Sequence, residues 1–166
     1  MNINEELIRN LIAVQATIAQ AAIDAGRNPN DINLIGVSKQ QPEDRIEASL
    51  AAGLRVFGEN RVQEAEARWL ERKRKFSDLE LHLIGPLQTN KVRSAIRLFD
   101  VIQTVDRDRL AHTLSRVMGE EGRNLPCFVQ VNTGEEKQKA GISPGNTSAF
   151  VKTCIELHTG IGIKNR

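Results

Sequence analysis

Apolar residues recur at spacings of three and four through the first part of the chain: Leu7, Leu11, Val14, Ile18 and Ala22, with Gly26 after them. That period predicts an amphipathic helix over residues 4–25, of about five to six turns, with its apolar stripe on the core. The pattern then breaks at the turn cluster Asn28-Pro29-Asn30. A continuous apolar run follows, Leu34 to Val37, inside a predicted strand over residues 32–38, and it stops abruptly at Ser38 and Lys39.

From there the chain alternates. Helices are predicted over residues 42–52, 61–75, 90–98, 107–121 and 145–157, and strands over 54–57, 80–84, 100–103 and 127–132. Pro42 falls in the first turn of one helix, and Gly53 and Gly122 stand just past two helix ends. Asp106 reads as an N-cap, and Ser143-Pro144 as a cap followed by a first helical position. Strict alternation of short apolar strands with helices implies a parallel sheet with right-handed crossovers, either open and doubly wound or closed as a barrel. Neither a G-x-G-x-x-G nor a phosphate-loop G-x-x-x-x-G-K-S/T is present.

The polar signals gather at one end of the strands. Lys39, Glu59-Asn60, Gln88-Thr89-Asn90-Lys91, Thr104 to Asp106 and Asn132-Thr133 each follow the carboxyl end of a strand. In a barrel that end carries the active residues. Each also has a structural reading. Lys39 is either a snorkelling surface lysine or a nucleophile or anion anchor. Asn60, and Thr89 or Asn90, could cap the helices they precede. His82 lies between Leu81 and Leu83 and so points away from them, as a half-buried structural histidine would. The run from Glu71 to Lys75 reads as the solvated end of a helix, favoured there by the helix dipole.

Composition narrows the classes. The chain has 166 residues, enough for one domain, with 40% hydrophobic and 27% charged residues, ordinary for a globular fold. A net charge of +2 gives no reason to expect a nucleic-acid partner. No apolar run approaches a membrane span, and the acidic, amphipathic N-terminus lacks the layout of a secretory signal. Cys127 and Cys154, far apart and in apolar surroundings, read as buried thiols in a reducing, cytoplasmic compartment.

The segments LIGVSKQQP, GLRVFGENRVQEA, LHLIGPLQTNKVR, VDRDRLA and VQVNTGEEKQKAGI, in this order and spacing, strongly resemble the pyridoxal 5′-phosphate homeostasis protein family. That family is similar to the N-terminal barrel domain of alanine racemase standing alone. The match runs from about residue 5 to 157. The resemblance implies a (β/α)8 barrel of the TIM type that holds pyridoxal 5′-phosphate as a Schiff base. The family's lysine falls on Lys39, and its glycine-glutamate-asparagine motif on Gly58, Glu59 and Asn60, with the asparagine near the cofactor. An imine needs a neutral amine, and a partly desolvated barrel mouth would favour that form of Lys39. The family is described as binding and buffering the cofactor, without an established reaction.

Two features qualify the resemblance. A full barrel takes roughly 250 residues, and about five strands are visible here beside an N-terminal helix. The single barrel domain over residues 1–166 is therefore expected to lack its last strands, with Gly162-Ile163-Lys164 as the start of a sixth. The family's serine/arginine/glycine-rich phosphate-holding region comes later still. Open strand edges would favour self-association. The loop TGEEKQKAG is a modest variation on the family pattern. The rival functions are a pyridoxal-phosphate racemase or decarboxylase, and a remnant that binds no cofactor. Racemases of the related fold use a tyrosine from a second domain, and this sequence contains no tyrosine.

Overall fold

The structure is a computed structural model and describes residues 3–157. The predicted sixth strand around Gly162 lies outside the described residues. The chain forms two compact units, Met1–Gly58 and Glu59–Arg166.

In the first unit, α1 (Ile3–Asp24) leads through a 3-10 turn (Pro29–Asp31) to β1 (Gly36–Val37), α2 (Glu43–Ala51) and most of β2 (Val56–Glu59). The stripe read from the sequence is only partly buried: Leu7, Leu11 and Ile18 are half-buried and Ala22 buried, while Val14 is 46% exposed. Within its unit α1 packs on α2 and the 3-10 turn. A single helix neighbour covers a narrower stripe than a sheet would. The α2 helix buries Ile46, Ala48 and Leu50, and Gly53 leaves it at φ 89°, a conformation that favours glycine.

The first strand is shorter than its apolar run. Its ladder holds only Gly36 against Phe57 and Val37 against Gly58, both parallel, and Ser38 N–H extends it to Gly58 O at 3.0 Å. A Cβ at Gly36 would lie 2.5 Å from Leu54 Cδ2, so a larger residue there would have to displace the Leu54 side chain. The strand β2 crosses the boundary: its first three residues belong to the first unit, and Glu59 begins the second.

The second unit continues with α3 (Val62–Lys75), β3 (Glu80–Leu83), a 3-10 turn (Thr89–Lys91) running into α4 (Val92–Leu98), β4 (Val101–Val105), α5 (Asp108–Glu121), β5 (Cys127–Val129), a second 3-10 turn (Pro144–Asn146) and α6 (Thr147–Glu156). Strand pairing follows chain order, β1-β2-β3-β4-β5. His82 pairs with Val101 and Ile102 with Cys127, all parallel, as the βα alternation requires. Trp69, Leu81, Leu83, Ile96, Phe99, Leu110, Leu114 and Met118 are fully buried and form this unit's core. The ladder of β5 stops at Val129, short of the predicted end. Val131 instead makes an isolated parallel bridge to Ile142, and Gln130 O accepts from Ile142 N at 2.8 Å, so residues 130–142 close on themselves.

The basic end of α3 is less solvated than its composition suggests. Lys73 Nζ donates to Leu98 O at 3.0 Å and pairs with Asp100, and the Arg72 guanidinium lies 5.7 Å from the Trp69 ring centroid. Asp100 also accepts from Leu81 N at 2.8 Å and from Arg123 Nη2 at 3.2 Å. No helix among the described residues is long and apolar enough to cross a membrane.

Candidate functional site

Lys39 sits at the second position of a β-turn. Gln41 N–H donates to Ser38 O at 3.1 Å, and Gln40, the third residue, stands at φ 58°. A positive φ at that position defines a type II-like turn, where glycine would be usual. The turn's first residue is fixed from two directions: Ser38 is buried and gives both its N–H, at 3.0 Å, and its Oγ, at 3.3 Å, to Gly58 O. The strand end therefore anchors Ser38 beside Gly58 and turns the chain outward immediately afterwards. Lys39 itself is exposed, and its side chain makes no hydrogen bond or ion pair among the described residues. The expected partly desolvated mouth is not provided around Lys39 by these residues.

Gly58, Glu59 and Asn60 divide their roles. Gly58 is buried and receives Ser38 in the first unit. Glu59 and Asn60 belong to the second. The Glu59 side chain is fully buried: Oε1 accepts from Trp69 Nε1 at 3.0 Å and from Arg68 Nη1 at 3.1 Å. Its carboxylate thus pins the end of β2 to α3. Asn60 is half-buried and does not cap α3; the N-cap residue is Arg61, with no side-chain cap bond.

The backbone at Asn60 explains the glycine of IGPLQ. A Cβ on Gly85 would come within 2.3 Å of Asn60 O and 2.7 Å of its Cα. This close approach accompanies the bond from Ile84 N to Glu59 O at 2.9 Å. Gly85 O in turn accepts from the buried Thr104 Oγ1 at 2.7 Å. The carboxyl ends of β2, β3 and β4 are cinched together in this way. A cavity of about 650 Å³ opens beside them, lined on one side by Asn60, Arg61 and Gln63 and on the other by Pro86 to Gln88, Lys91 and Arg107.

The remaining polar positions resolve as follows. Asp106 is not a cap: the N-cap of α5 is Arg107, whose Nη1 pairs with Asp106 while Nη2 donates to Leu87 O at 2.7 Å. Neither Thr89 nor Asn90 caps α4, whose N-cap residue is Lys91. His82 is 7% exposed; Gln103 Nε2 donates to its Nδ1 at 2.8 Å, leaving Nε2–H to donate to Glu80 at 2.8 Å, a structural arrangement as expected. Asn132 gives its amide to Glu136 O at 2.9 Å and so belongs to the loop after β5. Ser143 stands before the 3-10 turn with Pro144 at its first position. Cys127 is buried, and burial pushes its thiol up to about 12. Among the described residues no cluster of histidine, cysteine, aspartate or glutamate could hold a metal ion. Arg61 and Arg107 were not evident as site residues in the sequence; the only signal was their position next to two strand ends, in FGENR and VDR.

A parallel sheet with a helix after every strand, and polar groups on the strand ends, is the architecture of the alanine racemase barrel domain. The alanine racemase of Clostridium difficile shares this fold with a TM-score of 0.61 at 18% identity, the match covering 81% of this chain and 35% of that one. Residues 16–165 match the family described as alanine racemase, N-terminal domain. The chain belongs to this family. It is 36% identical over 157 residues to the pyridoxal phosphate homeostasis protein of Escherichia coli K12, covering 92% of this chain. The chain spans 65% of the length of that relative. PipY of Synechococcus elongatus, solved with PLP bound, is 38% identical with a TM-score of 0.72, the match covering 89% of this chain and 68% of PipY.

Proposed function

We propose that this protein binds pyridoxal 5′-phosphate through Lys39 and serves in cytoplasmic homeostasis of that cofactor, without turning over a substrate. The observation that carries this reading is the Ser38–Gln41 turn, which fixes a lysine at the carboxyl end of β1 and presents its amine to solvent. The chemistry of the donor fits the cofactor's aldehyde end, and the likeness to PipY, solved with PLP bound, supports it. When bound, the cofactor supplies an aldehyde carbon open to nucleophilic attack. Lys39 would hold that carbon through its Nζ, with one water lost in exchange and no oxidant or reductant needed.

Gly58, Glu59 and Asn60 complete the proposed binding set. Gly58 seats Ser38 and hence the lysine's turn; Glu59 holds the second turn of α3; Asn60 would offer its amide. The exposure of Lys39 favours storage and release over catalysis, because chemistry on this cofactor requires water to be excluded from reactive intermediates. The naming of the curated relatives as homeostasis proteins supports the same choice.

The test is to incubate the chain with pyridoxal 5′-phosphate, reduce with borohydride and map the adduct by peptide mass spectrometry. The adduct is expected on Lys39 and is lost in Lys39→Ala. No adduct at saturating cofactor, or one placed equally on surface lysines, overturns the proposal. Incubating the loaded protein with amino acids should give no racemised or decarboxylated product; a catalytic yield would favour the enzyme reading.

A further inference from the structure

The cavity of about 650 Å³ in the second unit is within the size range of small-ligand sites, and its chemistry is asymmetric. Among the described residues, three cationic ones line it, Arg61, Lys91 and Arg107, and no acidic one does. Two of the three have partners. Arg61 reaches out to Glu64 at 2.9 Å, and Arg107 is held by Asp106 and by Leu87 O. Lys91 is half-buried, and its side chain makes no hydrogen bond or ion pair among the described residues. A lysine that lines a cavity without a paired carboxylate is placed to meet an anion delivered there.

Arg107 is already oriented for such a ligand. Two of its five N–H groups are used, one on Asp106 and one on Leu87 O, and this brace fixes the guanidinium plane beside the loop that carries Lys91. The amides of Asn60, Gln63 and Gln88 add neutral donors around the rim, while the buried Val62 and Leu87, with Pro86, give an apolar wall. A compact ammonium beside a braced guanidinium suits a dianionic tetrahedral group, and the apolar wall suits a small ring.

We propose that this cavity is a non-covalent binding site for a phosphomonoester carrying a small apolar or aromatic body, with Lys91 and Arg107 on the phosphate. The site shares Asn60 with the set proposed above and goes beyond that function in using neither Lys39 nor an aldehyde.

Phenyl phosphate is the probe, titrated into the full chain by calorimetry and by heteronuclear NMR, with phenol as the uncharged control. Saturable one-to-one binding is expected for phenyl phosphate and none for phenol, with amide shifts concentrated at Gln63, Gln88 and Lys91. Lys91→Gln should weaken binding by about tenfold or more, Lys91→Arg by much less, and Lys39→Ala not at all. Shifts in the wild-type chain that map to Ser38–Gln41 instead would overturn the proposal without reference to any variant. So would unchanged affinity in a folded Lys91→Gln, loss of binding in Lys39→Ala, or equal binding of phenol. Failure of the lysine adduct with phenyl phosphate binding intact would count against the Lys39 reading alone.

Discussion

The indole of Trp69 donates its Nε1–H to Glu59 Oε1 at 3.0 Å, inside a core where neither side chain is exposed. The pair joins the last residue of β2 to the second turn of α3, and Arg68 supplies the charge that lets a carboxylate stay there at 3.1 Å. The resemblance places Glu59 within the family's glycine-glutamate-asparagine motif, and its carboxylate braces the end of β2 against α3. Removing a partner from a buried charged hydrogen bond costs about 1.5–3 kcal/mol. Trp69→Phe and Glu59→Gln are each expected to lower unfolding stability in that range. The double variant should lose less than the sum, measured by urea denaturation, because the two residues share one bond. Strict additivity would contradict the pairing.

Gly85 and Asn60 supply a steric test. With Asn60 O only 2.3 Å from the place of a Cβ, Gly85→Ala must push two strand ends apart. Overpacking of this kind typically costs about 1–3 kcal/mol. The same variant should disturb the Thr104 Oγ1 bond to Gly85 O and shift the amide resonances of Asn60 and Thr104. A neutral Gly85→Ala would mean that the β2 and β3 ends are not in contact in solution.

The turn that carries Lys39 stores a small strain at Gln40, whose φ of 58° suits glycine better than a side chain. Gln40→Gly is expected to be neutral or to stabilise by up to about 1 kcal/mol, because glycine's extra unfolded-state freedom partly offsets the relief. Gln40→Val, branched at a position of positive φ, should destabilise by about 1–2 kcal/mol. If the turn presents Lys39 as described, Gln40→Gly retains borohydride-trapped adduct on Lys39 and Gln40→Val loses part of it.

Cys127 makes stability fall at alkaline pH. Its folded thiol is raised from 9.0 to about 12, so between those values the unfolded chain has released a proton that the folded chain retains. Unfolding then becomes easier as pH rises, with a limiting slope on the order of 1.4 kcal/mol per pH unit; the contribution is intact below pH 9 and lost as pH climbs toward 12. Cys127→Ser should flatten this part of the stability profile. Iodoacetamide should modify Cys127 in the native protein only through unfolding, with kinetics that track denaturant concentration.

The βα alternation was legible because each strand is a compact apolar run and each helix carries its own apolar stripe, as Leu110, Leu114, Val117 and Met118 do in α5. Lengths were less legible. The run Leu34 to Val37 reads as a full strand, yet only Gly36 and Val37 enter the ladder, because hydrophobicity reports preference for burial and not the presence of a paired edge. Caps failed for a related reason. Asp106 and Asn60 are good cap residues by type, but Asp106 goes to the Arg107 guanidinium, and the N-cap residues of α3 and α5 are both arginine. Lys39 could be placed at a strand end, but its exposure could not, since that depends on the turn closed by Gln41. The cationic cavity was invisible: Arg61, Lys91 and Arg107 are up to 46 positions apart in the chain and look like three ordinary surface charges.

Strand order that copies chain order has a bearing on how the protein emerges during synthesis. Each strand leaving the ribosome meets an edge that is already made, so none has to wait for a partner still to be translated. The crossover helices keep each new pairing local in sequence, which holds down the loop entropy paid before contacts form. Growth can therefore proceed one βα step at a time, each new strand adding to the edge left by the strand before it.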